Sequence, residues 1–294
     1  MEVLIIADFI DDGFPFALNE PKRQPDYPIH RHDFTELVFV HKGHGVNIVN
    51  GHEHLIHDGD VFVIEKGVEH EYCRTSELYI SSLLLDLDSL PLPLELLGRH
   101  PGYYSLFEVE PGLRKKYSFK ARLNMSSETM TVVDELLGQL RVEWHDRKPG
   151  YEAAIIGFLT ELMVLLARCY VEQSLGGDSQ AVSRVGEVVS RIETGFKSDI
   201  SLDELVSIAC MSKRSLIRYF NSVYNMPPIK YLLQVRIRKA SEMLRGTNKS
   251  ISAIAMECGF DDSNYFTRQF RRAIGMSPRE YRGIFISTKG KTTA

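Results

Sequence analysis

A repeat in the last third of this chain constrains its fold more than any other feature. Residues 201–231 and 250–281 carry the same pattern, first at an offset of 49 residues (Leu205 to Ile254) and then at an offset of 50 (Phe220 to Phe270). The additional residue of the second copy falls where the offset changes, and chains tolerate insertions in turns. The sequence therefore predicts one supersecondary unit, present twice, with a turn in its middle.

Each copy of the repeat predicts two helices joined by that turn. An apolar segment with helical periodicity ends at the turn, and Ser212 or Asp262 follows as the N-cap of a second helix. This is a helix-turn-helix, whose second helix fits the major groove of B-DNA, where Arg can recognise guanine and Asn adenine. The alternative is that the helix pairs only pack together, as in many all-α domains. We predict DNA contacts from Lys213, Arg214, Ile217, Arg218, Asp262, Ser263, Asn264, Thr267 and Arg268.

The distribution of charge favours DNA binding over that alternative. Residues 183–294 contain 19 Lys and Arg against 10 Asp and Glu, a net charge of +9. The rest of the chain contains 16 against 29, a net charge of -13, and the two sum to the -4 of the whole sequence. A basic double helix-turn-helix predicts phosphate contacts and salt-dependent binding to DNA.

The repeat region resembles the AraC/XylS family of transcriptional regulators. The resemblance is carried by residues 201–205, 211–212, 231–240, 258–266 and 275–282. It implies a sequence-specific regulator whose partners are double-stranded DNA and RNA polymerase. Ala253 departs from the family, in which an acidic residue is common at this position.

The hydropathy pattern argues against insertion into a membrane. No apolar run approaches the roughly 20 residues of a membrane span. The first residues also lack a basic segment followed by a cleavage site. We therefore expect a cytoplasmic protein that makes no contact with a membrane.

The N-terminal half of the chain has the pattern of short antiparallel strands. Apolar runs occur at 36–40, 46–49, 52–56, 61–64 and 79–87, and Asn50-Gly51 between two of them is a strong hairpin signal. Strands at this regular spacing predict a small antiparallel barrel with room inside for one small ligand.

A cluster of histidines in this region resembles the two-part motif of cupins. His30, His32, Glu36 and His70, with Gly43, Gly59 and Gly67, follow its spacing, although Glu65 replaces the usual Pro. The resemblance implies that the metal-binding set of a cupin would map onto His30, His32, Glu36 and His70.

Three interpretations of the cluster remain open at the level of sequence. These side chains could hold a divalent transition metal and leave coordination positions free. They could instead bond the hydroxyl groups of a sugar without metal, with Arg31 nearby. They could also be strand residues that bond only to backbone. We predict a ligand site formed by His30, Arg31, His32, Glu36 and His70.

Residues 27–38 and 43–45 resemble the sensor half of the L-rhamnose-responsive AraC/XylS members. The resemblance implies a transcriptional activator, not an enzyme, controlled by a small sugar such as L-rhamnose. One alternative is a metal-dependent cupin enzyme fused to a DNA-binding domain. Others are a regulator of the same family that senses another ligand, and a constitutive DNA-binding protein.

Two apolar helices are predicted between these halves. Met130, Val133 and Leu140 recur at helical spacing, and a second helix after Gly150 is apolar on most sides. One face would pack on the barrel and another on a partner subunit, so we expect a homodimer; the alternative is a helical pair folded entirely on its own barrel. The predicted fold class is mixed β and α: a cupin-like ligand-sensing barrel (1–120), a helical dimerisation region (121–173), a flexible linker (174–182) and an all-α DNA-binding domain with two helix-turn-helix motifs (183–294).

Overall fold

The computed structural model describes residues 2–10, 13–118, 122–174 and 177–289. The chain divides into two compact units, Met1–Glu187 and Val188–Ala294. The first unit contains the strands and several helices, whereas the described part of the second unit is helical. This confirms the mixed β and α class, with strands in the N-terminal part and helices in the C-terminal part.

The described strands of the first unit form one eight-stranded sheet in the order β1-β3-β7-β4-β6-β8, with β2 paired to β7 and β5 paired to β4. Its pairs are antiparallel except β1 with β3. The strands are β1 (Glu2–Leu4), β2 (Phe16–Arg23), β3 (Tyr27–His32), β4 (Thr35–Val49), β5 (His52–His57), β6 (Asp60–Ile64), β7 (His70–Leu85) and β8 (Leu123–Asn124).

Two predicted strands are in fact one. The runs at 36–40 and 46–49 both belong to β4, which continues through Gly43 with shifts of register against β7. Gly43 has φ +88°, and a Cβ at this position would lie 2.0 Å from the carbonyl oxygen of Glu77. Glycine therefore allows β4 to bend closely past β7 without ending, which periodicity alone does not indicate. The predicted hairpin is confirmed, since Asn50 (φ 47°) and Gly51 (φ 81°) join β4 to β5.

The sheet folds around an apolar core. Alternating residues of the central strands point into this core because successive side chains of a strand face opposite sides. The same alternation buries His30 and His32 of β3 and exposes Arg31 between them. The core contains Val38, Val40, Val49, Ile56, Phe62, Ile64, Val68, Tyr72, Leu78 and Ile80.

Short helices follow β7: α1 (Leu94–Leu97), α2 (Pro101–Tyr104), a π-helical segment (Ser105–Val109) and α3 (Glu110–Arg114). Two long helices then confirm the predicted pair, α4 (Ser127–Asp146) and α5 (Tyr151–Gln173). Ser126 caps α4 by accepting a hydrogen bond from the Thr129 backbone N–H. The single tryptophan, Trp144 of α4, packs edge-on against Phe16 of the sheet at 5.4 Å between ring centroids.

Helix α5 corrects one expectation. It has 23 residues, and an 18-residue window within it has a mean hydropathy of 1.8, so it is long and apolar enough to cross a membrane, contrary to our prediction that no run reaches this length. Its apolar residues are interrupted by charges, so the sequence does not show one uninterrupted run. Helix α5 nevertheless buries Ile155, Leu159, Leu162 and Leu166 completely within the protein, as a core helix does.

The helices of the second unit begin with α6 (Gly177–Gly195), which starts within the first unit. Residues 177–182, predicted as flexible linker, are helical. The apolar spacing that buries Val182 and Val185 extends the helix backward through them, while residues 175–176 lie outside the described part. The remaining helices are α7 (Leu202–Ala209), α8 (Lys213–Tyr224), α9 (Pro228–Gly246), α10 (Ile251–Glu257), α11 (Ser263–Ile274) and α12 (Pro278–Lys289).

The predicted repeat appears as two helix-turn-helix units, α7–α8 and α10–α11. Ser212 and Asp262 cap the second helices as expected, accepting backbone N–H groups of Ser215 (3.2 Å) and Asn264 (2.7 Å). Leu216 and Phe220 are fully buried in the first copy, as are Phe266 and Phe270 in the second. The second helix of each copy therefore packs through an i, i+4 pair and exposes charged or polar residues elsewhere, such as Arg214 in α8 and Asn264 in α11.

Candidate functional site

The four residues of the cupin-like pattern meet in the first unit. His30 and His32 lie on β3, Glu36 on β4 and His70 on β7. The register places His30 opposite His70, and their ring centroids are 4.0 Å apart. The Nε2 atoms of His32 and His70 lie 3.6 and 3.8 Å from Glu36 Oε2. Strand pairing thus assembles a cluster from residues that are 40 positions apart in the chain.

Backbone carbonyls orient each imidazole of this cluster. His30 Nδ1 bonds the carbonyl of Pro28 (3.0 Å), His32 Nδ1 that of Phe34 (2.6 Å) and His70 Nδ1 that of Val68 (3.2 Å). A carbonyl accepts hydrogen bonds, so each Nδ1 is the donor, and in the neutral form of such a ring the lone pair lies on Nε2. His32 Nε2 and His70 Nε2 are buried and have no hydrogen-bond partner among the described residues.

Burial and neighbouring charges shift the pKa values of two residues in the cluster, His70 and Glu36. Burial lowers the pKa of His70 to about 4, although the charge of Glu36 opposes this shift. Burial also raises the pKa of Glu36, but its interactions with His32, His70 and Ser82 outweigh burial and lower this pKa to about 2. At neutral pH the cluster therefore holds a carboxylate next to a neutral imidazole.

A cavity of about 210 Å³ lies beside the cluster. It is smaller than the roughly 300 to 1,000 Å³ typical of sites for drug-sized ligands, and so suits a smaller molecule. Asn19 donates to Ser82 Oγ within it (3.1 Å), and the hydroxyl of Tyr72 is buried without a partner among the described residues. The cavity is lined by Leu4, Phe9, Asn19, Lys22, Gln24, Tyr27, His30, Glu36, Tyr72, Ile80 and Ser82.

The cavity is lined by some of the predicted ligand residues and not by others. His30 and Glu36 line it. His32 and His70 do not line it but lie next to the Glu36 carboxylate. Arg31, also predicted as a ligand residue, is exposed and does not line this cavity, because the period of a strand turns it away from its neighbours His30 and His32. Four further lining residues were not predicted from the sequence, since they carry no motif and come from strands whose register the sequence does not reveal: Asn19, Lys22, Tyr72 and Ser82.

The first described residues cover part of this cavity. Leu4 and Phe9 contribute to its lining. The Ile6 backbone N–H donates to Asp33 Oδ1 (2.7 Å), and Phe9 packs edge-on against Phe34 at 5.8 Å. Ile6 and Phe9 are thus attached to the turn between β3 and β4.

A second cleft in this unit, of about 330 Å³, has a different character. Its lining includes Phe34, Lys66, Asp86 and Asp88. Lys66 pairs with Asp88, and Asp86 accepts a hydrogen bond from Ser89 Oγ (2.6 Å). Because these charged groups already bond within the protein, the smaller cavity beside the histidines is the better candidate for a ligand.

In the second unit, most of the predicted DNA contacts lie at the surface. Lys213, Arg214 and Arg218 of α8 are exposed, as are Asn264 and Arg268 of α11. Ser263 is exposed, and Ile217 and Thr267 are half-buried at the corresponding positions of the two helices. Asp262 is also exposed, but its carboxylate caps α11, which gives it a structural role. Each second helix therefore presents cationic or amide groups over its first two turns, as recognition of bases requires.

The first unit is rich in strands and contains a polar cavity of ligand size, and the same chain carries two basic helix-turn-helix motifs. Together these features define a class of protein: transcriptional regulators that respond to a small molecule. Comparison with known families agrees. Residues 16–163 match the model of the AraC-like ligand binding domain, and residues 205–284 match a helix-turn-helix domain. The chain belongs to the AraC family.

Full-length relatives support this assignment. The chain is 27% identical to the HTH-type transcriptional activator RhaR of Mannheimia succiniciproducens, over 95% of both chains. It is 30% identical to RhaR of Shigella dysenteriae, over 94% of both chains. It is also 30% identical to the HTH-type transcriptional activator RhaS of an Enterobacter strain, over 96% of this chain and 97% of that one. The protein is a DNA-binding transcriptional regulator with a small-molecule effector, and not an enzyme.

Proposed function

We propose that this regulator activates transcription when L-rhamnose, or a closely related 6-deoxy sugar, occupies the cavity beside Glu36. The observation that carries the proposal is the composition of the cavity wall. Glu36, Asn19, Ser82 and Tyr72 offer hydrogen-bonding groups to several hydroxyls. Leu4, Phe9 and Ile80 provide an apolar surface in the same cavity.

A 6-deoxy sugar matches both parts of this wall. Its ring hydroxyls would pair with the polar side chains, and the methyl group at C5 would pack on the apolar ones. The corresponding hexose, L-mannose, carries a hydroxyl on the methyl carbon, C6. A buried hydroxyl without a partner costs about 1 to 3 kcal/mol, so L-mannose should bind about 5- to 150-fold more weakly. A relative named as a transcriptional activator supports the choice of activation.

Control of transcription requires that the two units communicate. We propose that the protein acts as a cytoplasmic homodimer, in which the exposed Val132 and Val142 of α4 contribute to the subunit interface. Two chains would present four helix-turn-helix units to successive major grooves and recruit RNA polymerase. The sugar can shift the dimer between two arrangements only if it binds one of them more tightly.

Calorimetry on the full-length protein tests the sensor directly. L-Rhamnose should release or absorb heat with a 1:1 stoichiometry per chain, and L-mannose should bind more weakly by the factor above. The variant Asn19→Ala should weaken binding of L-rhamnose, whereas Arg31→Ala, a matched change on the outer face of β3, should leave it unchanged. Absence of binding across L-rhamnose, L-fucose and L-mannose would reject a sugar of this class and leave a regulator that senses another ligand.

A further inference from the structure

Two of the three histidines in the cluster are closed to any sugar. The side chains of His32 and His70 are 1% and 0% exposed, and neither lines the cavity. Yet their Nε2 lone pairs both point toward the same carboxylate oxygen of Glu36 and find no donor among the described residues. A buried acceptor without a donor costs free energy, so an arrangement of three acceptors needs a cation to satisfy it.

The distances within the cluster fit a metal ion and not direct hydrogen bonds. One ligand atom each from His32, Glu36 and His70 lie within 4.8 Å of one another. Separations of 3.6 and 3.8 Å are too long for hydrogen bonds. Atoms that each lie about 2.0 to 2.2 Å from one ion are separated by about 3 to 4 Å, so only small adjustments would complete the site.

Neighbouring backbone carbonyls also hold the two imidazoles in the orientation that a metal ligand needs. A metal binds neutral imidazole and ionised carboxylate, and the Nδ1–H bonds to the carbonyls of Phe34 and Val68 hold both rings with Nε2 inward. Two imidazoles with one carboxylate favour a transition metal over Ca²⁺ or Mg²⁺ and leave coordination positions open.

We propose that His32, Glu36 and His70 bind one divalent transition-metal ion per chain, and that its open positions hold two hydroxyl groups of the sugar. Glu36 belongs to both the cluster and the cavity wall, so an ion on its carboxylate would face the cavity. The role of the ion as a sugar ligand rests on the function proposed above. His30 lines the cavity but is outside the three-residue set, so it is assigned to the sugar and not to the metal.

Titration of the metal-stripped, full-length protein with Co²⁺ tests the site. We expect one equivalent per chain to produce visible absorption bands of a bound Co²⁺ ion. His32→Ala, Glu36→Gln and His70→Ala should each weaken binding by more than the roughly 10- to 100-fold that a group merely orienting a ligand contributes. His30→Ala and the exposed-residue control His44→Ala should retain the bands.

Two further measurements on the wild-type protein test the metal site even if a variant fails to fold. X-ray absorption on the wild-type cobalt complex should count two imidazoles; a count of none, or of three, would overturn the assignment. Calorimetry with L-rhamnose should then be run with and without metal. Sugar binding of equal affinity in a protein that takes up no metal overturns the metal site and leaves the sugar sensor intact. One bound Co²⁺ that the three variants abolish, together with no binding of any sugar, supports the metal site and removes the proposed sugar.

Discussion

The buried ion pair between Glu110 and Arg114 of α3 gives the first unit a testable electrostatic weak point. Arg114 donates to Glu110 Oε1 from Nε (2.9 Å) and Nη2 (2.5 Å), and the two side chains are only 1% and 4% exposed. The guanidinium also lies 5.1 Å from the ring centroid of Phe62 in the core of the sheet. Arg114→Met keeps the length and apolar contacts of the side chain and removes its charge.

The expected cost of Arg114→Met follows from this burial. Removing one partner of a buried pair typically costs about 3 to 5 kcal/mol, since the other charge is left uncompensated. Burial already raises the pKa of Glu110, and Arg114 is the group that opposes this shift. Without Arg114 the pKa rises further, and the folded state then binds more protons than the unfolded state. The stability of the variant should therefore fall as pH rises above the unfolded-state pKa, by at most about 1.4 kcal/mol per pH unit.

Urea unfolding followed by tryptophan fluorescence measures this cost, because the single tryptophan, Trp144, is buried in the first unit. Arg114→Met should lose about 3 kcal/mol or more at pH 8 and less at pH 6. The double variant Glu110→Leu/Arg114→Met should recover most of the loss, since no buried charge remains. A loss below 1 kcal/mol, a loss that does not depend on pH, or a double variant as unstable as the single one would refute the reasoning.

Four further outcomes are expected. Tyr72→Phe, which removes an unpartnered buried hydroxyl, should stabilise the first unit by up to about 1 kcal/mol while weakening L-rhamnose binding in calorimetry; unchanged affinity would mean that this hydroxyl does not touch the sugar. Gly43→Ala should destabilise the same unit by more than about 2 kcal/mol in urea, because the new Cβ meets the Glu77 carbonyl; a loss below 0.5 kcal/mol, on the order of an ordinary surface change, would contradict this. Cys210→Gly should stabilise the second unit by up to about 1 kcal/mol in thermal unfolding, since Cys210 (φ 46°) occupies a left-handed conformation for which the second copy uses Gly259; a lower melting temperature would show that the thiol contributes more than the strain costs. Arg214→Ala or Asn264→Ala should cost about 1 to 3 kcal/mol at one base position and relax specificity there, measured by binding to a set of operator variants; equal weakening on all sequences would mean that these side chains contact phosphate.

The DNA-binding half could be predicted from sequence because its determinants are local. Helical periodicity, the N-caps at Ser212 and Asp262 and the one-residue difference between the repeats define both helix pairs without reference to the rest of the chain. Phe266 and Phe270 are buried as their i, i+4 spacing requires. The sequence did not predict that residues 177–182 are helical. Small and polar residues have only a weak intrinsic preference for helix, and tertiary contacts elsewhere in the helix can override it.

The ligand cavity was predictable only in part, because strand register decides its wall. The spacing of His30, His32, Glu36 and His70 gave the cluster, but the pairing of Asn19 with Ser82 depends on how β2 aligns with β7. A change of register by one residue would exchange the inner and outer faces. Arg31 lies outside the cavity although it is adjacent in sequence to two buried histidines, because neighbouring residues of a strand face opposite sides.

If the proposed function is correct, a sugar bound in the first unit controls DNA binding by the second. An operator can be selected from random DNA with the full-length protein, and its affinity then measured by fluorescence anisotropy at fixed salt with and without L-rhamnose. Coupling between two sites is typically about 1 to 3 kcal/mol, so L-rhamnose should change the Kd for the operator by about 5- to 150-fold, with little effect from L-mannose at the same concentration. A Kd that is the same with and without saturating L-rhamnose would contradict the claim.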